Sequence, residues 1–67
     1  MALKNRLKEF RSSFNITQEE FGANVQVTRK TINTIENGIF VPSVTLAIKL
    51  AKFFKIPVEK LFSIEED

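Results

Sequence analysis

The sequence predicts an all-α domain of five short helices, and three observations carry that prediction. Apolar residues recur at helical spacing through most of the 67 residues. Hydroxyl residues that suit helix N-caps precede the apolar runs, and the connections between those runs are brief. No repeat and no linker interrupts the pattern, so residues 1–67 read as one domain.

Leu3, Leu7, Phe10 and Phe14 follow one another at intervals of four, three and four, the spacing of one helix face, with Lys4, Lys8 and Arg11 elsewhere on the same cylinder. Thr17 offers the next N-cap, with Glu20 as its capping-box partner and Ile16 and Phe21 as a hydrophobic staple. A second helix is expected from about Gln18. It must be short, because Val27, Thr28 and Ile32 repeat the staple-and-cap arrangement at once. Asn37-Gly38 ends the third helix, since glycine takes the left-handed conformation without steric cost. Pro42-Ser43 opens a fourth, in which Leu46, Ala47, Leu50 and Phe54 keep helical spacing. Pro57 stands where a first-turn proline belongs, followed by Val58, Leu61 and Phe62. The alternation in Phe62-Ser63-Ile64 leaves a short terminal β-strand as an option.

Composition excludes several functions. With neither Cys nor His, the chain has no disulfide, no zinc-type ligand set and none of the usual nucleophile–base pairs. A chain this short cannot wall off a dry pocket either, so an enzyme is not expected, nor is any cofactor or metal. Residues 1–62 carry ten positive and five negative charges, a net of +5, before the acidic Glu65-Glu66-Asp67. That modest basic bias is compatible with a polyanionic partner. No apolar run approaches the roughly 18 residues of a membrane span, and no leader is apparent. A cytoplasmic protein without a membrane partner is expected.

Two short helices joined by Val25-Gln26-Val27, the second opening on basic residues, form the pattern of a helix-turn-helix. Each helical residue turns about 100° from the last. With Arg29 at zero, Thr31, Ile35 and Ile32 fall at roughly 200°, 240° and 300°, one face expected to be buried. Arg29, Asn33, Lys30 and Thr34 fall at roughly 0°, 40°, 100° and 140°, opposite it. A donor-rich face on the second helix is what reading the major groove requires; an ordinary solvated face has the same composition.

Thr17-Gln18-Glu19-Glu20-Phe21 followed by Val27-Thr28-Arg29-Lys30-Thr31-Ile32-Asn33-Thr34-Ile35-Glu36-Asn37-Gly38 resembles the Xre family, the lambdoid phage repressor and Cro type. The likeness runs from Arg11 to the apolar end, and small stand-alone repressors of the family have a similar length. The resemblance implies double-stranded DNA as partner and a DNA-binding set of Gln18, Thr28, Arg29, Lys30, Asn33, Thr34 and Asn37. Gln18 and Asn37 would hold phosphates, the favoured reading over a plain N1 residue and a helix stop. Arg11 and Glu36 match a partly buried salt bridge that ties the first helix to the recognition helix; Glu36, at roughly 340°, borders the apolar face.

Three departures from the family pattern stand out. Gln26 replaces a frequent turn glycine, which requires a non-Gly residue in the left-handed region. Gly22 stands where alanine is usual, at about 1 kcal/mol of helix propensity. Ile39-Phe40-Val41 is apolar where relatives place Lys or Arg, and Thr17 to Gly38 carries a net charge of −1. Local electrostatic support for DNA binding is correspondingly weak.

The function expected is a sequence-specific transcriptional regulator, a repressor acting as a homodimer on a palindrome, with no room for a small-molecule effector domain. The alternative is an antitoxin-like or co-activator-like protein-interaction module on the same fold. Phe53, Phe54, Ile56, Val58, Leu61, Phe62 and Ile64 crowd the C-terminal segment beyond what a small core holds. The dimer contact is therefore expected at the fifth helix and its flanks, centred on Leu61, Phe62 or Ile64. The competing reading has these side chains capping the monomer core.

Overall fold

Hydroxyl caps set the helix starts where the sequence places them. The computed structural model describes residues 2–65 and runs β1 (Ala2–Asn5), α1 (Leu7–Ser13), α2 (Gln18–Asn24), α3 (Arg29–Glu36), α4 (Val44–Phe53), α5 (Val58–Leu61) and β2 (Phe62–Glu65). Thr17 Oγ1 accepts from the Glu20 amide at 3.0 Å, Thr28 Oγ1 from Thr31 at 3.1 Å and Ser43 Oγ from Leu46 at 3.1 Å. Each satisfies one amide that the helix itself leaves without a partner.

The helix ends share one device. After α1, α2, α3 and α4 the chain takes a left-handed residue, respectively Asn15 (φ 61°), Gln26 (φ 64°), Gly38 (φ 74°) and Lys55 (φ 58°). The next amide then reaches back to the third residue before the cap: Ile16 to Arg11 at 3.5 Å, Val27 to Gly22 at 2.9 Å, Ile39 to Thr34 at 2.9 Å and Ile56 to Ala51 at 3.1 Å. This is the Schellman closure. Only one of the four uses glycine, and Gln26 is left-handed as its place in the turn requires. Lys55→Gly is expected to stabilise the domain by about 0.5–1 kcal/mol: it relieves a left-handed side chain at about 1–2 kcal/mol and loosens the unfolded chain by about 0.4–1. Gly38→Ala should move thermal melts the opposite way.

The N-terminal segment departs from the helical expectation. Leu3 and Lys4 lie on β1, which pairs antiparallel with β2 in the register Leu3↔Ile64, Lys4↔Ser63 and Asn5↔Phe62. Asn5 makes the switch. Its Oδ1 accepts from the Leu7 amide at 3.1 Å, while its Nδ2 donates to the Ile35 carbonyl at 2.9 Å. One side chain thus opens α1 and ties the strand to α3. The optional terminal strand is real, and it extends the five-helix array by a two-stranded sheet.

Leu7, Phe21, Ile32, Ile35, Leu50 and Leu61 are fully buried, so every helix from α1 to α5 gives the core at least one side chain. Phe10, Phe14, Phe21, Phe53 and Phe54 stack around one end, with neighbouring ring centroids 4.9–6.3 Å apart. Two of the three residues expected at a dimer contact belong to this interior. Leu61 is 1 % and Phe62 8 % exposed. Because α5 is a single turn that leads straight into β2, it turns both side chains inward. Ile64 alone of the three stays accessible, at 59 %, opposite Leu3 at 41 %.

Candidate DNA-binding surface

Two contacts hold α3 in place. The first is glycine against backbone: a Cβ on Gly22 would stand 2.7 Å from the Val27 carbonyl oxygen and 3.2 Å from the Thr28 carbonyl carbon. Absence of a side chain lets the turn lie directly on α2, which gives this glycine a purpose beyond its poor propensity. The second is the ion pair expected between Arg11 and Glu36. Arg11 Nε donates to Glu36 Oε2 at 2.6 Å and Nη2 to Oε1 at 3.3 Å, while Nη1 donates to the Ile16 carbonyl at 2.8 Å. The Glu36 side chain is only 2 % exposed and that of Arg11 14 %.

With Ile32 and Ile35 buried beneath, α3 turns its other face outward. Arg29, Lys30 and Asn33 are exposed, and Thr34 and Thr31 are half-buried. Arg29 and Lys30 have no ion-pair partner among the described residues. The remaining predicted residues are more committed. Thr28 serves as N-cap and shares a 3.0 Å hydrogen bond with the Thr31 hydroxyl. The Thr34 hydroxyl donates to the Thr31 carbonyl at 2.9 Å. Gln18 Nε2 donates to Glu36 Oε1 at 2.9 Å and to Asn33 Oδ1 at 3.2 Å, and Asn37 Nδ2 donates to the same Asn33 oxygen at 3.2 Å. Sequence reasoning assigned Gln18 and Asn37 separately to phosphates. It missed that both converge on Asn33: Asn37 from four positions away, and Gln18 from 15 positions away, a contact that no local signal announces.

The start of α2 is electrostatically defined. Glu20 accepts the Thr17 backbone N–H at 3.0 Å, and that bond, followed by the one with the Thr17 side chain, holds its carboxyl below the ordinary glutamate pKa. A depressed folded-state pKa means that the capping contribution is whole above the unfolded glutamate pKa. It is lost as pH falls through the lower, folded value. Glu20→Gln keeps an acceptor oxygen but cannot titrate. Acid unfolding followed by circular dichroism should therefore lose part of its pH dependence in this variant.

The loop after α3 keeps its apolar character on the surface: Ile39 is 77 %, Phe40 47 % and Val41 65 % exposed. Phe40 and Ile39 line a shallow groove beside Lys30, Thr31 and Thr34.

Comparison with known proteins agrees with this geometry. A family model described as helix-turn-helix matches residues 7–61. An uncharacterized HTH-type transcriptional regulator of Bacillus subtilis (strain 168), YgzD, is 45 % identical over 97 % of this chain and 98 % of its own. A second, MJ0272 of Methanocaldococcus jannaschii, has the same identity and the same coverage of both chains. The HTH-type transcriptional activator BcrR of Enterococcus faecalis is 30 % identical over 98 % of this chain, which corresponds to 32 % of that longer protein. With its capped α2–turn–α3 unit, its Arg11–Glu36 tie and a family match over most of its length, the chain belongs to the Xre-type helix-turn-helix family.

Proposed function

We propose that the chain binds double-stranded DNA sequence-specifically through α3 as a transcriptional regulator, a repressor acting as a dimer on a palindromic site. The observation that carries the reading is the outward face of α3, where Arg29, Lys30 and Asn33 stand exposed on a helix whose opposite face is locked into the core. Relatives named as HTH-type transcriptional regulators support it. Selection of bound sites from a random duplex library tests it: a palindromic consensus is expected, and no enrichment refutes it.

Arg29 is assigned to base reading. A bidentate arginine–guanine pair is worth about 1–3 kcal/mol of discrimination. Arg29→Ala should therefore flatten preference at one base pair of each half-site, measured by competition between single-base variants of the selected duplex. An unchanged preference removes Arg29 from that role.

For the dimer, the exposed Leu3–Ile64 pair on the sheet is the apolar surface at the C-terminal end that remains free for a second copy. Sedimentation equilibrium should show a dimer at tens of micromolar and a monomer for Ile64→Lys. A monomeric wild type would sink this assignment.

The exposed apolar side chains of Ile39, Phe40, Val41 and Val44 favour the alternative, a protein-interaction module. Anisotropy on a non-specific duplex at two salt concentrations separates the two readings. A DNA binder loses affinity steeply with salt, whereas a partner-binding module binds little at either.

A further inference from the structure

Glu36 is the fixed point of a chain of amide orientations. Its carboxylate is clasped by Arg11 and nearly excluded from water, so it accepts hydrogen bonds and offers none. Gln18, 2.9 Å from Oε1, must therefore present its amide nitrogen there; the flipped side chain would set oxygen against carboxylate. That same nitrogen lies 3.2 Å from the Asn33 side chain, which must answer with its oxygen. Asn37 then reaches the same oxygen with its own nitrogen, also at 3.2 Å. An amide oxygen has two lone pairs, and on Asn33 both are now occupied. Its two N–H groups have no partner among the described residues, and the residue is exposed on the helix face that carries Arg29.

We infer that Asn33 meets DNA as a hydrogen-bond donor only. Its contact is a purine N7 or a phosphate oxygen. The two-point pairing with adenine, which needs the amide oxygen to accept from the N6 amino group, is closed to it. Gln18, with both N–H groups engaged, is a positioning residue: it transmits the charge state of the buried pair to the polarity of a side chain on the reading face. The inference rests on the DNA-binding reading and adds a chemical restriction to it.

The test compares wild type with Asn33→Ala on the selected duplex, changed one atom or group at a time. A 7-deazapurine removes N7, nebularine removes the N6 amino group of adenine, and a methylphosphonate removes a charged phosphate oxygen. One 7-deaza or one methylphosphonate position is expected to weaken wild type by about 5–10-fold and to leave Asn33→Ala unaffected. The first outcome places the acceptor on a base and the second on the backbone. A nebularine position that weakens wild type but is silent in Asn33→Ala overturns the inference, as does the absence of any coupled position. Side-chain amide hydrogen exchange in the free protein supplies an independent readout. Gln18 should exchange more slowly than Asn33, and the reverse order overturns the relay with no DNA present. A wild type that selects no duplex refutes the DNA-binding reading itself, and the exchange order still reports on the relay.

Discussion

Arg11→Ala should remove a large share of the domain's stability and move its urea midpoint far toward zero. The substitution strands Glu36, whose side chain is 2 % exposed, with Gln18 as its sole remaining side-chain donor among those that now reach it. Removing one member of a buried pair costs about 3–5 kcal/mol. A 67-residue domain has in total only about 3–10 kcal/mol of stability. Glu36→Ala should cost less, because Arg11 is partly solvated and keeps its bond to the Ile16 carbonyl. The double variant should lose less than the sum of the two, since an unpaired charge is no longer buried. Urea titrations of the four proteins measure the cycle, and additive losses would show that the pair does not couple.

Gly22→Val should cost about 3 kcal/mol, the upper part of the range for overpacking. The new Cβ meets backbone, not a side chain that can swing away. The Val27 oxygen would be 2.7 Å off and the Thr28 oxygen 3.3 Å, in a turn already tied by the 2.9 Å bond from the Val27 amide to the Gly22 carbonyl. Relief requires α3 to move off α2. Any folded fraction should consequently also bind DNA more weakly, which separates this variant from a surface control such as Ala23→Val.

Local chemistry explains what was legible in the sequence. Thr17 with Glu20, Thr28 and Ser43 announce helix starts because capping is satisfied within four residues. The Arg11–Glu36 pair was legible through family resemblance and through the position of Glu36 on the helix boundary. Leu3 misled, since its spacing to Leu7 and Phe10 matches a helix while its pairing partner, Ile64, lies at the far end of the chain. Asn5 held the missed clue, a side chain suited to opening a helix just before Leu7. Leu61 and Phe62 read as outward from sequence because the apolar residues of the C-terminal segment outnumber what a small helical core holds. The two-stranded sheet enlarges that core by folding the end of the chain over it. The contact of Gln18 with Asn33 was invisible for a different reason: it depends on how α2 crosses α3, which only tertiary packing decides, whereas Asn37 lies four residues from Asn33, a spacing at which helical side chains meet.

The β1–β2 pairing has a kinetic consequence. It joins segments separated by nearly the whole chain, so it carries the largest loop-closure entropy in the fold and gains little from early, local contacts. The helices should assemble first and the sheet zip last; in the native state the sheet should open before the helices melt. If two copies meet on Leu3 and Ile64, they meet on the element formed last. Final folding and association then become one concentration-dependent step, and dilution would fray the ends of the domain before it released the recognition helix.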